Sequence, residues 1–146
     1  MFKHILVPVD GSASSLQAVN KAAGLAQAFQ SKLTLVNVID IYPFVGIGAD
    51  YAFGQAEYLT AATASANQAL SKAEAAIVQA GLACDKRAVE GNAVHQGILD
   101  TADSLGCDLI VMGSHGRHGI DRLLLGSTTQ RVLGRAKVPV LVVQSP

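Results

Sequence analysis

The sequence has no tryptophan, only two cysteines, and no apolar run that approaches the ~18 residues of a membrane-spanning helix. We therefore expect no membrane partner. Cys84 and Cys107 lie in apolar surroundings and lack CxxC spacing, so neither a metal site nor a redox pair is indicated. Reduced thiols packed in the interior are the plainer interpretation.

Net charge is also missing, because 11 lysines and arginines balance 11 aspartates and glutamates. A nucleic-acid-binding domain usually has a basic balance, and we therefore expect no nucleic-acid partner. The charge is unevenly spread, however: between Gly113 and Lys137 the chain has five basic residues and one acidic residue, Asp121. A local basic segment in a neutral protein suits a small anionic ligand better than a long polyanion.

Hydrophobic residues make up 50% of the chain and form short apolar stretches that alternate with longer segments of helical periodicity. This pattern predicts strands at residues 4–9, 32–39, 83–90, 107–113 and 139–144, and helices at residues 14–30, 57–80, 92–105 and 127–135. Asn92 is expected to cap the third helix and Gly81 to end the second. Near-continuous apolar strands are buried on both faces. We therefore predict one α/β domain over residues 1–146, an open five-stranded parallel sheet with helices on both faces.

Residues 40–54 interrupt this regularity with one proline and three glycines. A loop of this length in a small domain is usually functional or mobile, so it is a candidate lid. Its aromatic side chains either cover a ligand or bury part of the loop itself. They are Tyr42, Phe44, Tyr51 and Phe53.

Glycines and hydroxyls follow the predicted strand ends. Asp10 follows the first strand and Gly113 ends the fourth; if these strands are neighbours where the strand order reverses, both residues converge on one crevice. Gly113 and Gly116 allow positive φ and close backbone approach. Gly126 then opens a helix at Ser127, whose N–H groups and hydroxyl suit phosphate oxygens. The alternative is a glycine-rich surface loop capped by Ser127, since neither a Walker loop nor a GxGxxG fingerprint is present.

The spacing Gly113-x2-Gly116-x9-Gly126-Ser127 resembles the ATP-binding motif of the universal stress protein family. The stretches "ILVPVDGS" and "VPVLVV" are similar to the opening and closing strands of that family, so the resemblance covers essentially the whole chain. It implies a Rossmann-like fold of the adenine nucleotide alpha hydrolase type with strand order 3-2-1-4-5. It also implies dimerisation through the last strand and membership of the branch that binds ATP, with AMP or ADP as alternative ligands.

The resemblance also implies a role for each matching residue. Asp10 would approach the ribose; Pro8, Val9 and Val38 would line the adenine slot, with the Val38 backbone at the base edge; Met112 and Gly113 would pack at the ribose and base; Gly116, Gly126, Ser127 and Thr128 would hold the phosphates. Asp10 has a competing role as the N-cap of the first helix. Arg117 either reaches the phosphates or is solvated.

His115 and His118 have a spacing that occurs in metal sites, but no third ligand lies near them in the sequence. We therefore expect no protein metal site. Any Mg²⁺ is expected to be held mainly through the phosphates of the nucleotide and water.

The two predicted sheet edges differ in charge. The third strand carries Asp85, Lys86, Arg87 and Glu90, which protect an edge against unwanted pairing, whereas residues 139–144 carry no charge. Pairing of the last strand with its own copy would cover it, so we predict a homodimer through residues 139–144. The first residues run directly into a strand pattern without the features of a signal peptide, and we expect a cytoplasmic protein.

Three functions are compatible with these features. The first is a dimeric ATP-binding stress-response or signalling protein, a nucleotide-dependent switch read by an unidentified protein partner. The second is a slow ATPase or phosphotransferase; it is disfavoured because Asp10 is the only strand-end carboxylate and no Walker lysine is present, and we assign no catalytic residue. The third is a nucleotide-free interaction module whose working surface is the dimer.

Overall fold

The structure is a computed structural model that describes residues 1–41, 52–115 and 125–144. The described chain alternates strands and helices as the sequence predicts. The elements are β1 His4–Pro8, α1 Ala13–Phe29, β2 Lys32–Asp40, α2 Ala52–Gln79, β3 Asp85–Gly91, α3 Val94–Leu105, β4 Leu109–Gly113, α4 Ser127–Arg135 and β5 Val140–Val143. Within the described ranges, no helix combines the length and the apolar character that crossing a membrane requires.

The five strands form one parallel sheet in the order β3-β2-β1-β4-β5. The predicted order 3-2-1-4-5 is therefore confirmed. In the centre of the sheet, Ile5 of β1 is in register with Leu33 of β2 on one side and with Leu109 of β4 on the other. Because the chain builds outward from β1 in opposite directions, a crevice opens at the carboxyl ends of β1 and β4.

The core consists of two layers, one on each face of the sheet. Ile5 and Val7 of β1 pack with residues of α1 and α2, whereas Leu6 between them packs with residues of α3 and α4. All three side chains are completely buried. Burial of such a side chain contributes about 1.5–3 kcal/mol, and the alternation explains why a fully apolar strand is stable at the centre of the sheet.

The helix ends differ in part from the prediction. Gly81, with φ +82°, ends α2 as expected. The prediction that Asn92 caps α3 is wrong, because the N-cap is Ala93 and no side chain caps it. The N–H of Ile41 donates to the carbonyl of Gly91 at 3.0 Å. This bond holds the chain extended through Gly91, so the helix starts only after a short turn.

The ends of the strands also shift by one or two residues. The fourth strand begins at Leu109 rather than at residue 107, because the Asp108 carboxylate accepts bonds from the backbone N–H groups of Lys3 and His4. Those bonds also hold the pKa of Asp108 below its usual range. The predicted loop 40–54 is shorter than expected, since Asp40 is the last residue of β2 and α2 begins at Ala52. Residues 42–51 lie outside the described ranges.

Candidate functional site

A cavity of about 500 Å³ opens at the carboxyl ends of β1, β2 and β4, beside α2, α3 and the start of α4. Its volume falls within the range of ligand sites, about 300–1,000 Å³. Nine of the predicted site residues line it together: Pro8, Val9, Asp10, Val38, Met112, Gly113, Gly126, Ser127 and Thr128. Gly116 and Arg117, as well as His118 and the loop aromatics Tyr42, Phe44 and Tyr51, lie outside the described residues, and so does the side chain of Phe53.

Asp10 stands at the end of β1, just before α1. Its Oδ1 accepts from the N–H of Ser12 at 2.9 Å, and its own N–H donates to Oγ of Ser15 at 3.4 Å. The alternative role of Asp10 as the helix N-cap is wrong, because Ser12 caps α1 by accepting from the N–H of Ser15 at 3.1 Å. An ionised carboxylate accepts about four hydrogen bonds. The Asp10 side chain therefore has acceptor capacity beyond its bond with Ser12.

Of the two properties expected of Gly113, positive φ and close backbone approach, the structure has only the second. It is the last residue of β4, and positive φ occurs in the described chain only at Gln30, Gly11, Gly81 and Gly106. A Cβ at Gly113 would lie 2.8 Å from the carbonyl carbon of Ser14 and 2.9 Å from its oxygen. The expectation of a positive φ at Gly113 is therefore wrong. The glycine instead lets the first turn of α1 rest directly on the end of β4.

The start of α4 is fixed against the same strand end. The Gly126 N–H donates to the carbonyl of Ser114 at 2.7 Å, and the Thr129 hydroxyl donates to the carbonyl of Gly113 at 2.9 Å. Gly126 is the N-cap, so Ser127 and Thr128 form the first turn. First-turn N–H groups have no acceptor within the helix, and they carry the positive end of the helix dipole. The cavity therefore ends at a group of hydrogen-bond donors that suits an anion.

The opposite end of the cavity is formed by β2, α2 and α3, with the apolar side chains of Val38, Val94 and Ile98 as well as polar groups. The Asn37 amide donates to the carbonyl of Val9 at 2.8 Å, which ties the end of β2 to the end of β1. The Tyr58 hydroxyl donates to the carbonyl of Asp40 at 2.9 Å. Asp40 lines the cavity, so the statement that Asp10 is the only strand-end carboxylate is wrong.

Several cavity residues are absent from the sequence prediction. Asn37 and Asp40 are polar residues near the end of an apolar strand, and that contrast is a usable signal for a strand-end site. Tyr58 and Ser65 have no such signal. They lie within an Ala-rich helix, and the sequence predicts that helix without showing which of its residues face the strand ends. For His115 the sequence indicates only a possible metal ligand, whereas the structure places it at the cavity wall.

Two histidines adjoin the ends of α4. The Nε2 atom of His115 is buried and has no hydrogen-bond partner among the described residues, and its Nδ1 lies 3.1 Å from Oγ of Ser114. The buried His95 of α3 accepts at Nε2 from the Arg135 guanidinium at 2.7 Å. Burial, together with the charges of Arg135 and Arg131, lowers the pKa of His95. A neutral His95 therefore braces α3 against α4. In the described part of the chain, no three His, Cys, Asp or Glu side chains gather as a metal site would require.

Comparisons with known proteins agree with this architecture. The model of the universal stress protein family matches residues 1–144. A universal stress protein of Methanocaldococcus jannaschii is 35% identical over the whole chain, which spans 84% of that relative. Among solved structures, the universal stress protein UspA of Lactobacillus plantarum superposes with a TM-score of 0.87 at 28% identity, with 97% of each chain covered.

A second solved structure is a universal stress protein in complex with cAMP. It has a TM-score of 0.73 and 28% identity, and the match covers 99% of this chain and 98% of that one. The family model, the curated relative and the sheet order all lead to the same assignment. This chain belongs to the universal stress protein family.

Proposed function

We propose that this chain, acting as one domain over residues 1–146, binds an adenine nucleotide and works as a nucleotide-dependent stress-response or signalling protein in the cytoplasm. ATP is the first candidate ligand, with AMP and ADP as alternatives. The observation that carries the proposal is the cavity of about 500 Å³, which joins an apolar end at β2 and α3 to the donor-rich start of α4. A nucleotide has the same division into an apolar base and an anionic phosphate chain.

The residues around the cavity fit the three parts of such a ligand. Pro8, Val9, Val38 and Met112 offer apolar walls to the base, with the Val38 backbone at the base edge and Met112 and Gly113 where base meets ribose. Asp10 offers acceptor oxygens to ribose hydroxyls. Gly126, Ser127 and Thr128 offer N–H groups and hydroxyls to phosphates, and we assign Gly116 and Arg117 to that end as well. Any Mg²⁺ is held mainly by the phosphates and water.

Support for this ligand class comes from the relative with cAMP, which is 28% identical to this chain over almost its full length. The cyclic nucleotide contains adenine, ribose and one phosphate.

We further propose that the protein is a homodimer through residues 139–144. The strand β5 forms one edge of the sheet, and Leu141 on it is 38% exposed. Leu133 on the adjacent α4 is 42% exposed. A second copy that pairs along this edge would cover both side chains and satisfy the backbone groups of the edge strand.

The test is to purify the protein without added ligand, denature it and analyse the supernatant for adenine nucleotides. Thermal unfolding with ATP, AMP and GTP is measured alongside. We expect co-purified adenine nucleotide, and a stabilisation of about 2.7 kcal/mol when ATP is added at 100 times its Kd.

Two glycine-to-valine variants, one at each end of α4, test whether the stabilisation depends on the cavity. Gly126→Val places a branched side chain at the cavity wall and is expected to abolish the ATP-dependent stabilisation. Gly134→Val lies near the other end of the helix and should keep it, because no other element of the described chain comes within 4 Å of the position of a Cβ there. A wild-type protein with neither bound nucleotide nor thermal shift would overturn the proposal in favour of a nucleotide-free dimeric module.

A further inference from the structure

The side chain of Val38 lies in a notch between two glycines, Gly91 at the end of β3 and Gly97 in α3. A Cβ at Gly97 would lie 2.7 and 2.9 Å from the two γ-carbons of Val38 and 3.3 Å from its Cβ. A Cβ at Gly91 would lie 3.3 Å from one of those γ-carbons. Distances below 3.0 Å do not occur between such carbons without movement, so the Val38 side chain fits only because residue 97 has none.

Val38 cannot avoid a side chain at position 97 by rotating. Both of its γ-carbons face Gly97, so each staggered χ1 leaves at least one methyl group there. The backbone of β2 is held too, because Val38 is paired with Val89 of β3, and Asn37 is bonded to the carbonyl of Val9. A larger residue at position 97 would therefore move α3 away from β2 rather than move the strand.

The contact matters for the cavity because α3 forms part of its wall. Val94 and Ile98 lie on either side of Gly97 in the helix, and both line the cavity together with Val38. The separation between α3 and β2 thus determines how wide the apolar end of the cavity is. We propose that Gly97, with Gly91, is a positioning residue that seats Val38 against α3 and sets the width of the slot for the planar base; this rests on the nucleotide-binding function proposed above.

The helix itself gives no reason for a glycine at position 97. Glycine in a helix interior is less favourable than alanine, because it loses more backbone freedom when the helix forms. At two other helix glycines, Gly24 in α1 and Gly134 in α4, no other element of the described chain comes within 4 Å of the position that a Cβ would take. Gly97 differs from them in its contact with Val38, which makes Gly24 and Gly134 matched controls.

The first arm of the test needs no nucleotide. Urea unfolding is measured for Gly97→Ala, Gly24→Ala, Val38→Ala and the double variant Gly97→Ala/Val38→Ala. We expect Gly24→Ala to raise the unfolding midpoint, as alanine does in a helix, and Gly97→Ala to lower it. In the Val38→Ala background, Gly97→Ala should no longer lower the midpoint. If Gly97→Ala raises the midpoint as Gly24→Ala does, the notch does not constrain α3 and the inference is overturned.

The second arm measures dissociation constants for ATP and for 1,N6-ethenoadenosine triphosphate, whose base is wider. We expect Gly97→Ala to weaken ATP binding by about tenfold, the effect of roughly one methyl group in an apolar pocket. Because the slot widens, the etheno analogue should lose less, so the ratio of the two constants changes. A purely structural role would weaken both ligands equally.

The outcomes separate the two proposals. Unchanged ATP affinity in Gly97→Ala, or equal losses for the two ligands, would overturn the positioning role while nucleotide binding stands. A wild-type protein that binds neither ligand would overturn the proposed function, and the positioning role with it. Gly24→Ala should leave both affinities unchanged, which controls for the substitution itself.

Discussion

Replacement of Thr129 by valine should loosen the contact between the start of α4 and the end of β4. Thr129 is buried, with 3% of its surface exposed, and its hydroxyl donates to the carbonyl of Gly113 at 2.9 Å. Valine has the same branched shape and nearly the same helix propensity, so the substitution removes little except the hydrogen bond. A buried acceptor that loses its donor costs about 1–3 kcal/mol, and we expect the free energy of unfolding to fall by that amount.

Thr101→Val is the matched control for this prediction. Thr101 is also buried, and its hydroxyl donates to the carbonyl of Gly97 at 2.7 Å. That carbonyl lies inside α3 and keeps the backbone bond from the N–H of residue 101, so it is not left without a donor. Urea unfolding of both variants should show an unchanged slope and a clearly larger loss for Thr129→Val. Equal losses would refute the argument that the Thr129 bond holds α4 against β4.

Three further predictions follow from the same structure. Gly113→Ala forces a carbon against the backbone of Ser14 and should cost about 1–3 kcal/mol in urea unfolding, whereas a neutral result would mean that α1 does not rest on β4. Burial and the charge of Arg135 lower the pKa of His95 in the folded protein. As the pH falls below the ordinary pKa value of 6.5, residue 95 is therefore protonated in the unfolded chain before it is protonated in the folded protein. Stability should therefore fall as the pH drops below that value, and His95→Gln should flatten this part of the profile; an identical profile would contradict the assignment. Burial raises the pKa of Cys107 to about 11, so its alkylation at pH 8 should be much slower in the native protein than in urea, and equal rates would show an accessible thiol.

The fold could be predicted from the sequence because its signals are local. A strand such as Ile5-Leu6-Val7 is apolar at every position, and in the structure its side chains alternate between two helical layers. The ends of helices were predictable where one residue type supplies the conformation, as at Gly81 with φ +82°. Residue choice and backbone conformation are linked directly in such cases.

Element boundaries were less predictable because distant residues set them. The start of β4 depends on the bonds between the Asp108 carboxylate and the N–H groups of Lys3 and His4, more than 100 residues away. The start of α3 depends on the bond from Ile41 to Gly91, which belongs to the pairing of β2 with β3. Neither partner can be found by inspecting the residues next to the boundary.

The glycines of the candidate site show the same limit most directly. A glycine at a turn can be explained by positive φ, and that explanation holds for Gly11, Gly81 and Gly106. Gly113 is the last residue of a strand and Gly97 lies inside a helix, and each is explained by one contact with another element. Gly24 also lies inside a helix, but on its exposed side and without any such contact in the described chain. The glycine residue type alone does not distinguish Gly24 from Gly97. The role of a glycine inside a helix or strand depends on which atoms lie within about 3 Å of the position of its absent side chain, and only the packed structure shows those atoms.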